Sequence, residues 1–188
     1  MENPVIKDVP SASFDNKAAR LRMLLFDVDG VLTDGKVVIH GDGSESKKFH
    51  IRDGTAITLT HQAGLLTGFL SARSSPSTFT RASQLSVRIV SQGITSKLAT
   101  YTQILSEHGL TDTEVAFMGD DLLDLPVLTR VGLSAAPADA VPEVLSNVAW
   151  VSNASGGQGA ARELIEAILK AQNRWETAIR DYLSNTDF

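Results

Sequence analysis

The sequence predicts an α/β protein built on a doubly wound parallel sheet, and three observations support this fold class. Short apolar runs alternate along the chain with segments of helical spacing. Glycine or proline stands near most of the junctions, as expected where one element ends and another begins. One stretch, at residues 36–51, interrupts the alternation with two short runs around Gly-Asp-Gly-Ser, which indicates a β-hairpin.

The elements can be placed in order along the chain. The first apolar run, at residues 21–28, has the composition of a strand that is buried on both faces. Further strands are predicted at 65–72, 87–92, 114–120, 133–138 and 148–152. Helices are predicted at 55–64, 75–85, 95–109, 121–132 with a break near Pro126, 140–147, and 158–183 as one helix or two. This order predicts a Rossmann-like sheet with helices on both faces.

The chain divides into three predicted parts. Residues 1–20 are expected to be a polar N-terminal extension, mobile to about Lys17. Residues 21–170 form the α/β domain, and its hairpin at 36–51 is a flap too short to fold as a separate cap domain. Residues 171–188 are expected to be a C-terminal helical tail. The N-terminus lacks a basic region followed by an apolar one, so we expect no secretory signal and a cytoplasmic protein.

Composition excludes several functional classes. The chain has 188 residues and a formal net charge of −5, which argues against nucleic acid as a partner and offers no basic stripe for a membrane surface. No apolar stretch approaches the length of a transmembrane helix. The absence of cysteine removes disulfides, thiol nucleophiles and cysteine-based zinc sites.

The stretch Leu-Leu-Phe-Asp-Val-Asp-Gly, at residues 24–30, places two carboxylates at the end of a strand. Asp27 and Asp29 are two positions apart, so on a strand they would share a face at a separation of roughly 7 Å. Two like charges this close repel each other. A bound cation, a shared proton or full exposure to water would each relieve the repulsion.

Other polar residues also follow predicted strands. Ser71 ends the second strand of the sheet, Asp120 and Asp121 end the fourth, and Lys97 begins the helix after the third. Each residue has an ordinary explanation, since aspartate is common at helix starts and most lysines are solvated. In parallel sheets, however, the carboxyl ends of the strands meet at one edge, where ligands bind. Together these residues therefore predict a functional site at that edge.

These residues also carry a resemblance to a known family. Asp-Val-Asp-Gly at 27–30, Ser71, Lys97 and Met-Gly-Asp-Asp-Leu-Leu-Asp at 118–124 resemble the four motifs of the haloacid dehalogenase-like superfamily, in the right order. The resemblance covers about residues 21–170. It implies a magnesium-dependent phosphatase in which the backbone carbonyl of Asp29 is a metal ligand.

The chemistry of these residue types agrees with that implication. A phosphate monoester is anionic, and a hard divalent cation bound to oxygen ligands makes it open to attack by another anion. Asp27 and Asp120 are the natural side-chain ligands of Mg²⁺. With Lys97 nearby, Asp27 can act as the nucleophile and form an aspartyl-phosphate. Asp29 can then serve as the general acid and base.

Supporting roles fall to the remaining polar residues. Ser71 and nearby backbone N–H groups can bind the phosphoryl oxygens, together with Lys97. Asp121 is expected to orient Lys97 or water on the metal, and Asp124 to cap or brace the loop, with a role behind the metal ligands as the alternative.

The flap and a second segment resemble one branch of this superfamily in particular. Residues 41–54 and the stretch Gly-Gly-Gln-Gly-Ala-Ala-Arg-Glu at 156–163 resemble the capless branch that contains the phosphatases of 3-deoxy-D-manno-octulosonate 8-phosphate (KDO 8-phosphate). The resemblance implies a phosphorylated sugar acid as substrate. It also implies a homotetramer in which hairpins of neighbouring subunits line the active sites.

Three local details bear on the substrate. Arg73 lies two residues after Ser71, where a guanidinium suits a substrate carboxylate, and the related phosphatases of nine-carbon sugar acids tend to have an acidic residue there. Ala72 replaces the glycine usual in the branch, which is tolerable only where φ need not be positive. Arg52 is expected to contact substrate, whereas Lys48 is as readily a surface charge on the hairpin.

Two alternatives remain open at this level. The chain could be a phosphatase for another phosphorylated sugar acid or small metabolite. It could also be a regulatory module that resembles a phosphatase but has lost catalysis, although the presence of Asp27, Asp29, Lys97 and Asp120 argues against this.

Overall fold

The structure is a computed structural model that describes residues 11–184, apart from the side chains of Ser11 and Ala12. Within this range helices and strands alternate as predicted. The strands are β1 (Met23–Phe26), β2 (Val38–Ile39), β3 (Glu45–Ser46), β4 (Leu66–Ser71), β5 (Ile89–Gln92), β6 (Val115–Met118), β7 (Leu133–Ala136) and β8 (Trp150–Val151). The helices are α1 (Ser11–Ala18), α2 (Ile51–Gln62), α3 (Pro76–Gln84), α4 (Lys97–His108), α5 (Leu125–Leu128), α6 (Pro142–Leu145), α7 (Ala160–Ala171) and α8 (Trp175–Ser184).

Six strands form one parallel sheet in the order β5-β4-β1-β6-β7-β8. Every side chain of the central strand β1 is buried. Leu24 and Phe26 belong to one apolar cluster, and Met23 and Leu25 belong to another, as the two-residue period of a strand requires. The sheet is therefore covered on both faces, and the doubly wound Rossmann-like prediction is confirmed.

The predicted hairpin is also present. Strands β2 and β3 pair antiparallel, with Val38 opposite Ser46, and form a separate two-stranded sheet. The turn between them is closed by a hydrogen bond from the Gly43 amide to the His40 carbonyl at 2.9 Å. No second domain interrupts the region between β1 and α2 in the described chain.

The N-terminal segment differs from the expectation. Residues 11–18 form helix α1 instead of a mobile extension. The Phe14 ring lies 6.4 Å from the ring of Trp150, and Ala18 is completely buried. Phe14 and Ala18 are four residues apart, so one face of the helix packs on the core. The first ten residues of the predicted extension lie outside the described range.

Two helices depart from their predicted limits. Helix α2 begins at Ile51, four residues before the predicted start at residue 55. The segment predicted at 121–132 is divided near Pro126, as expected, and Pro126 itself lies in the first turn of α5, where its missing N–H costs nothing. A 3₁₀ turn at Leu122–Asp124 precedes α5 and holds the acidic loop close to the sheet.

The C-terminal segment forms two helices. The chain turns at Asn173, which has a φ of +55°, and helix α8 then starts at Trp175. Trp175 is buried in the core, so this part of the predicted tail packs against the domain. Residues 185–188 of the tail lie outside the described range. Among the helices within residues 11–184, none has the length and apolar character needed to cross a bilayer.

Candidate active site

The carboxyl edge of the sheet brings Asp27 and Lys97 together. The Asp27 amide donates to the Met118 carbonyl at 2.9 Å, which continues the β1–β6 pairing by one residue. Lys97 begins α4, and its Nζ donates to Asp27 Oδ1 at 2.7 Å. Both side chains are at least nine-tenths buried. The ion pair therefore fixes the orientation of the predicted nucleophile.

Asp124 holds the other side of Lys97. Its side chain is buried, and Oδ1 accepts a hydrogen bond from Lys97 Nζ. Its Oδ2 accepts from the amides of Asp120 and Asp121 at 3.0 and 3.2 Å. Asp121, predicted to orient Lys97 or water on the metal, does not contact Lys97 in this structure, and its role toward water on the metal stays a prediction. The exposed Asp121 side chain accepts from the Leu122 amide instead, and Asp124, predicted to cap or brace, contacts the lysine.

Three carboxylates form a cluster suited to a cation. Asp27, Asp120 and Asp124 each offer an oxygen within 4.8 Å of the others. In the described part of the chain, the buried Asp120 Oδ1 has no hydrogen-bond partner. Because Asp124 already receives the lysine and two amides, the oxygens open to a metal belong to Asp27 and Asp120. Oxygen donors of this kind suit Mg²⁺, so the residues fit the predicted ion.

The shifted pKa values of the cluster indicate that it would favour a bound cation. Burial, followed by the repulsion of Asp27 and Asp124, raises the pKa of Asp120 to about 8. Burial and the nearby Asp124 likewise raise the pKa of Asp27 to about 7, although Lys97 opposes the shift. Burial alone would lower the pKa of Lys97, but Asp27 and Asp124 outweigh it and the pKa lies above its usual value. One lysine does not neutralise the cluster.

The loop after β1 passes very close to Asp120. Gly30 has a φ of +97°, and a Cβ at this position would overlap the Asp120 carboxylate. Buried Thr33 organises the loop, since its Oγ1 donates to the Val28 carbonyl at 3.3 Å and accepts from the amides of Gly30 and Gly35. The glycine of the first motif is therefore required both for backbone conformation and for space.

Asp29 is held by a residue that the sequence analysis missed. The Lys47 side chain is fully buried, and its Nζ lies 2.8 Å from Asp29 Oδ2 and 2.7 Å from Oδ1. Lys48, which the sequence analysis considered instead, is exposed. A two-residue period along the flap would have found Lys47, since Phe49 on the same face packs against the core.

Arg73 is close to Asp29 but is already engaged. Its NH2 donates to Glu45 Oε2 at 2.9 Å, and its Nε lies 3.7 Å from Asp29 Oδ2. The Arg73 side chain remains 53% exposed, so a ligand can reach it. Glu45 belongs to β3, so the flap contacts both Arg73 and, through Lys47, Asp29. Glu45 was not predicted as a site residue.

Ser71 ends β4 as predicted and is buried, and its Oγ accepts a hydrogen bond from the Arg73 amide at 3.2 Å. Ala72 does not have a positive φ, so its replacement of glycine causes no backbone strain. An open cavity of about 200 Å³ adjoins Ala72, Lys97 and the apolar side chains of Leu122 and Leu123. The site therefore has room for an organic group beside the lysine.

Arg52 is not brought to the carboxylate cluster. It is exposed on the first turn of α2, and among the described residues it forms no ion pair or hydrogen bond with the predicted site. Its neighbour Asp53 is buried, and Asp53 Oδ1 accepts from the Arg162 amide at the start of α7 at 2.9 Å. The Arg162 guanidinium lies over the Trp175 ring, 5.5 Å from its centroid.

The glycine-rich segment before α7 packs against the loop that follows β1. The Gly157 amide donates to the Val31 carbonyl at 2.9 Å. A Cβ at Gly156 would overlap the carbonyl oxygen of Gly30, so only glycine fits there. The Gly156 amide is held by Asp139 Oδ1 at 2.8 Å. The backbone of the glycine-rich stretch therefore packs directly against the backbone of the first motif.

The chain is similar to known phosphatases. Residues 45–164 match the family model described as haloacid dehalogenase-like hydrolase. The KDO 8-phosphate phosphatase of Escherichia coli K12 is 35% identical over 89% of both chains, and that of Yersinia pestis is 38% identical over 86% of this chain and 87% of its own. A crystal structure of the Moraxella catarrhalis KDO 8-phosphate phosphatase with magnesium, phosphate and KDO superposes with a TM-score of 0.87 at 30% identity, over 89% of this chain and 97% of that one.

Proposed function

Because this chain belongs to the haloacid dehalogenase-like hydrolase family, we propose that it hydrolyses KDO 8-phosphate to KDO and inorganic phosphate. The observation that carries the proposal is the likeness to phosphatases of this substrate, which extends over more than four-fifths of both chains. The position of Arg73 beside Asp29 adds support, since the substrate carries a carboxylate as well as a phosphate.

In this proposal Asp27 is the nucleophile. One of its oxygens bonds to phosphorus as the bond from phosphorus to the sugar oxygen breaks, and Asp29 donates a proton to that departing oxygen. A water then attacks phosphorus, Asp29 takes a proton from it, and the bond between phosphorus and Asp27 breaks. Inorganic phosphate leaves, and both carboxyl groups return to their starting states.

Lys97 and Ser71 assist both steps. Lys97 is held between Asp27 and Asp124, so its ammonium group is already oriented before a phosphate enters. Ser71 Oγ is fixed by the Arg73 amide and can donate to a phosphoryl oxygen. Little reorganisation is needed when negative charge develops, which is how a preformed site lowers a barrier.

The side chains of Asp27 and Asp120 and the backbone carbonyl of Asp29 would hold Mg²⁺. The buried Asp120 Oδ1 without a partner and the raised pKa of Asp120 support this assignment. When bound, the ion neutralises charge on the phosphate and on Asp27, so that one anion can approach another.

Arg73 is proposed to bind the carboxylate of the substrate. Its guanidinium is half exposed at the mouth of the site, and it presently binds Glu45, itself a carboxylate. A substrate carboxylate can take the place of Glu45 and bind the guanidinium through two parallel hydrogen bonds. Arg52 stays a predicted substrate contact, and its exposed position on α2 makes the argument for it weaker than that for Arg73.

The experiment is a comparison of phosphate release from KDO 8-phosphate, other phosphorylated sugar acids and neutral sugar phosphates. We expect the highest kcat/KM for KDO 8-phosphate. A higher value for a nine-carbon sugar acid would support the alternative substrate. Failure to release phosphate from any of these compounds or from p-nitrophenyl phosphate, in the presence of Mg²⁺, would support a non-catalytic module.

We also propose that the protein works in the cytoplasm as a homotetramer with the flap at the interface. Val38 and Ile39 on β2 are 51% and 75% exposed, which leaves an apolar strand next to the site without cover in a single chain. A neighbouring subunit would bury it and help to exclude water. Light scattering should give about four times the chain mass of 20.1 kDa. An active monomer at assay concentration would contradict the tetramer.

A further inference from the structure

The two aspartates of the first motif are each paired with a different buried lysine. Asp27 is paired with Lys97, which comes from the carboxyl edge of the sheet. Asp29 is paired with Lys47, which comes from the flap, eighteen residues further along the chain. The Lys47 side chain is fully buried, although the hairpin that carries it is largely exposed.

Burial of a lysine in a small flap needs compensation, because desolvation of an ammonium group is costly. Here Asp29 supplies it, with both carboxylate oxygens within 2.8 Å of Nζ. In the described chain Asp29 Oδ1 has no hydrogen bond, only this ion-pair contact. Lys47 is therefore the main restraint on the orientation of the Asp29 side chain.

The flap makes a second contact with the site. Glu45 lies two residues before Lys47 and so projects to the same side. It binds Arg73 at 2.9 Å. The inner side of the flap thus presents an anion to Arg73 and a cation to Asp29. Two ion pairs therefore attach the flap to the site, and the flap supplies the negative group of one and the positive group of the other.

We propose that Lys47 is a positioning residue that holds Asp29 in the orientation needed to take a proton from the water that hydrolyses the aspartyl-phosphate. This inference rests on the proposed function, since it assumes the two-step reaction. In this proposal Lys47 exchanges no proton and acts only through Asp29, whose carboxylate it restrains.

Burst kinetics with p-nitrophenyl phosphate test the inference. Its leaving group departs without a proton, so the first step does not need Asp29 and the second step does. In Lys47→Gln we expect the steady-state kcat to fall about ten- to a hundredfold and KM to fall with it, because kcat/KM reports the first step, which Lys47 does not affect. A burst of one p-nitrophenolate per active site should remain, because the aspartyl-phosphate accumulates.

Three variants control the measurement. Lys48→Gln removes the neighbouring exposed lysine and should behave like the unsubstituted protein. Lys47→Arg keeps a cation and should recover part of kcat. In an Asp29→Asn background, Lys47→Gln should lower the residual rate by less than twofold, because its effect passes through Asp29.

A raised KM at unchanged kcat would overturn the inference, since Lys47 would then bind substrate. Loss of the burst, or equal behaviour of Lys47→Gln and Lys48→Gln, would also overturn it. A crystal structure of Lys47→Gln gives a readout independent of activity, and an Asp29 side chain in its original orientation would reject the restraint. A natural substrate other than KDO 8-phosphate would refute the proposed substrate but leave the result with p-nitrophenyl phosphate valid.

Discussion

Asp120→Asn should stabilise the protein when no metal is bound. Asp120 lies beside two other carboxylates, and burial and their charges raise its pKa from the ordinary 3.8 to about 8. The unfolded chain therefore loses the Asp120 proton from about pH 4 upward, whereas the folded chain keeps it to about pH 8. The folded state becomes less stable as pH rises through this window, and asparagine, which does not ionise there, removes the loss.

The size of the effect follows from the shift. Four pKa units correspond to about 5 kcal/mol at pH 8, because each unit is worth about 1.4 kcal/mol. Part of this is repulsion from Asp27 and Asp124, and a share of that repulsion is relieved when another carboxylate of the cluster takes up the proton. Taking half of the 5 kcal/mol, we expect Asp120→Asn to raise the free energy of unfolding by about 2–3 kcal/mol at pH 8 and by about 1 kcal/mol or less at pH 5. No hydrogen bond of Asp120 Oδ1 is lost in the described structure.

Thermal unfolding in EDTA measures the gain. For a chain of this length, 2–3 kcal/mol corresponds to a rise in Tm of about 5–10 °C at pH 8. Excess Mg²⁺ should stabilise the unsubstituted protein and have little effect on Asp120→Asn, which lacks a ligand. Asp121→Asn is the matched control, since it removes an adjacent exposed charge and can keep its bond to the Leu122 amide. A Tm for Asp120→Asn at or below that of the unsubstituted protein at pH 8, or an equal gain at pH 5, would refute the reasoning.

Three further predictions concern activity. Asp27→Asn should abolish phosphate release while circular dichroism shows an intact fold, because an amide does not attack phosphorus; substantial turnover would contradict the covalent mechanism. Dialysis against EDTA should remove activity and Mg²⁺ should restore it, whereas full activity in excess EDTA would argue against the metal. Arg73→Ala should lower kcat/KM for KDO 8-phosphate roughly ten- to a hundredfold and leave p-nitrophenyl phosphate within about twofold. An equal fall for both substrates would mean that Arg73 serves the phosphate or the loop.

The fold and the edge of the sheet that carries the site were predictable because both depend on local patterns. Apolar runs and helical spacing marked the strands and helices, and the strand-end rule gathered Asp27, Lys97 and Asp120. The limits of these elements were less well predicted, as the early start of α2 shows.

The remaining features depend on contacts between distant parts of the chain. The sequence distinguishes Lys47 from Lys48 only through the two-residue period that leads to Phe49, and the folded flap shows that Lys47 is buried and Lys48 exposed. Asp124 reaches Lys97 only because the 3₁₀ turn folds back toward the sheet. Helix α1 has a weak apolar face, and its packing on Trp150 could not be inferred from the eight residues alone.

The contact between Gly156 and Gly30 has a consequence for how the protein could be shortened or divided. All the motif residues lie before residue 125, so a fragment ending at β8 would still contain every charged group of the proposed reaction. It would lack the backbone on which the Gly30 loop rests, since Gly156 and Gly157 supply that support. Gly156 and Gly157 thus support residues more than a hundred positions earlier, and the Gly30 loop gains this support only after residue 157 has been synthesised.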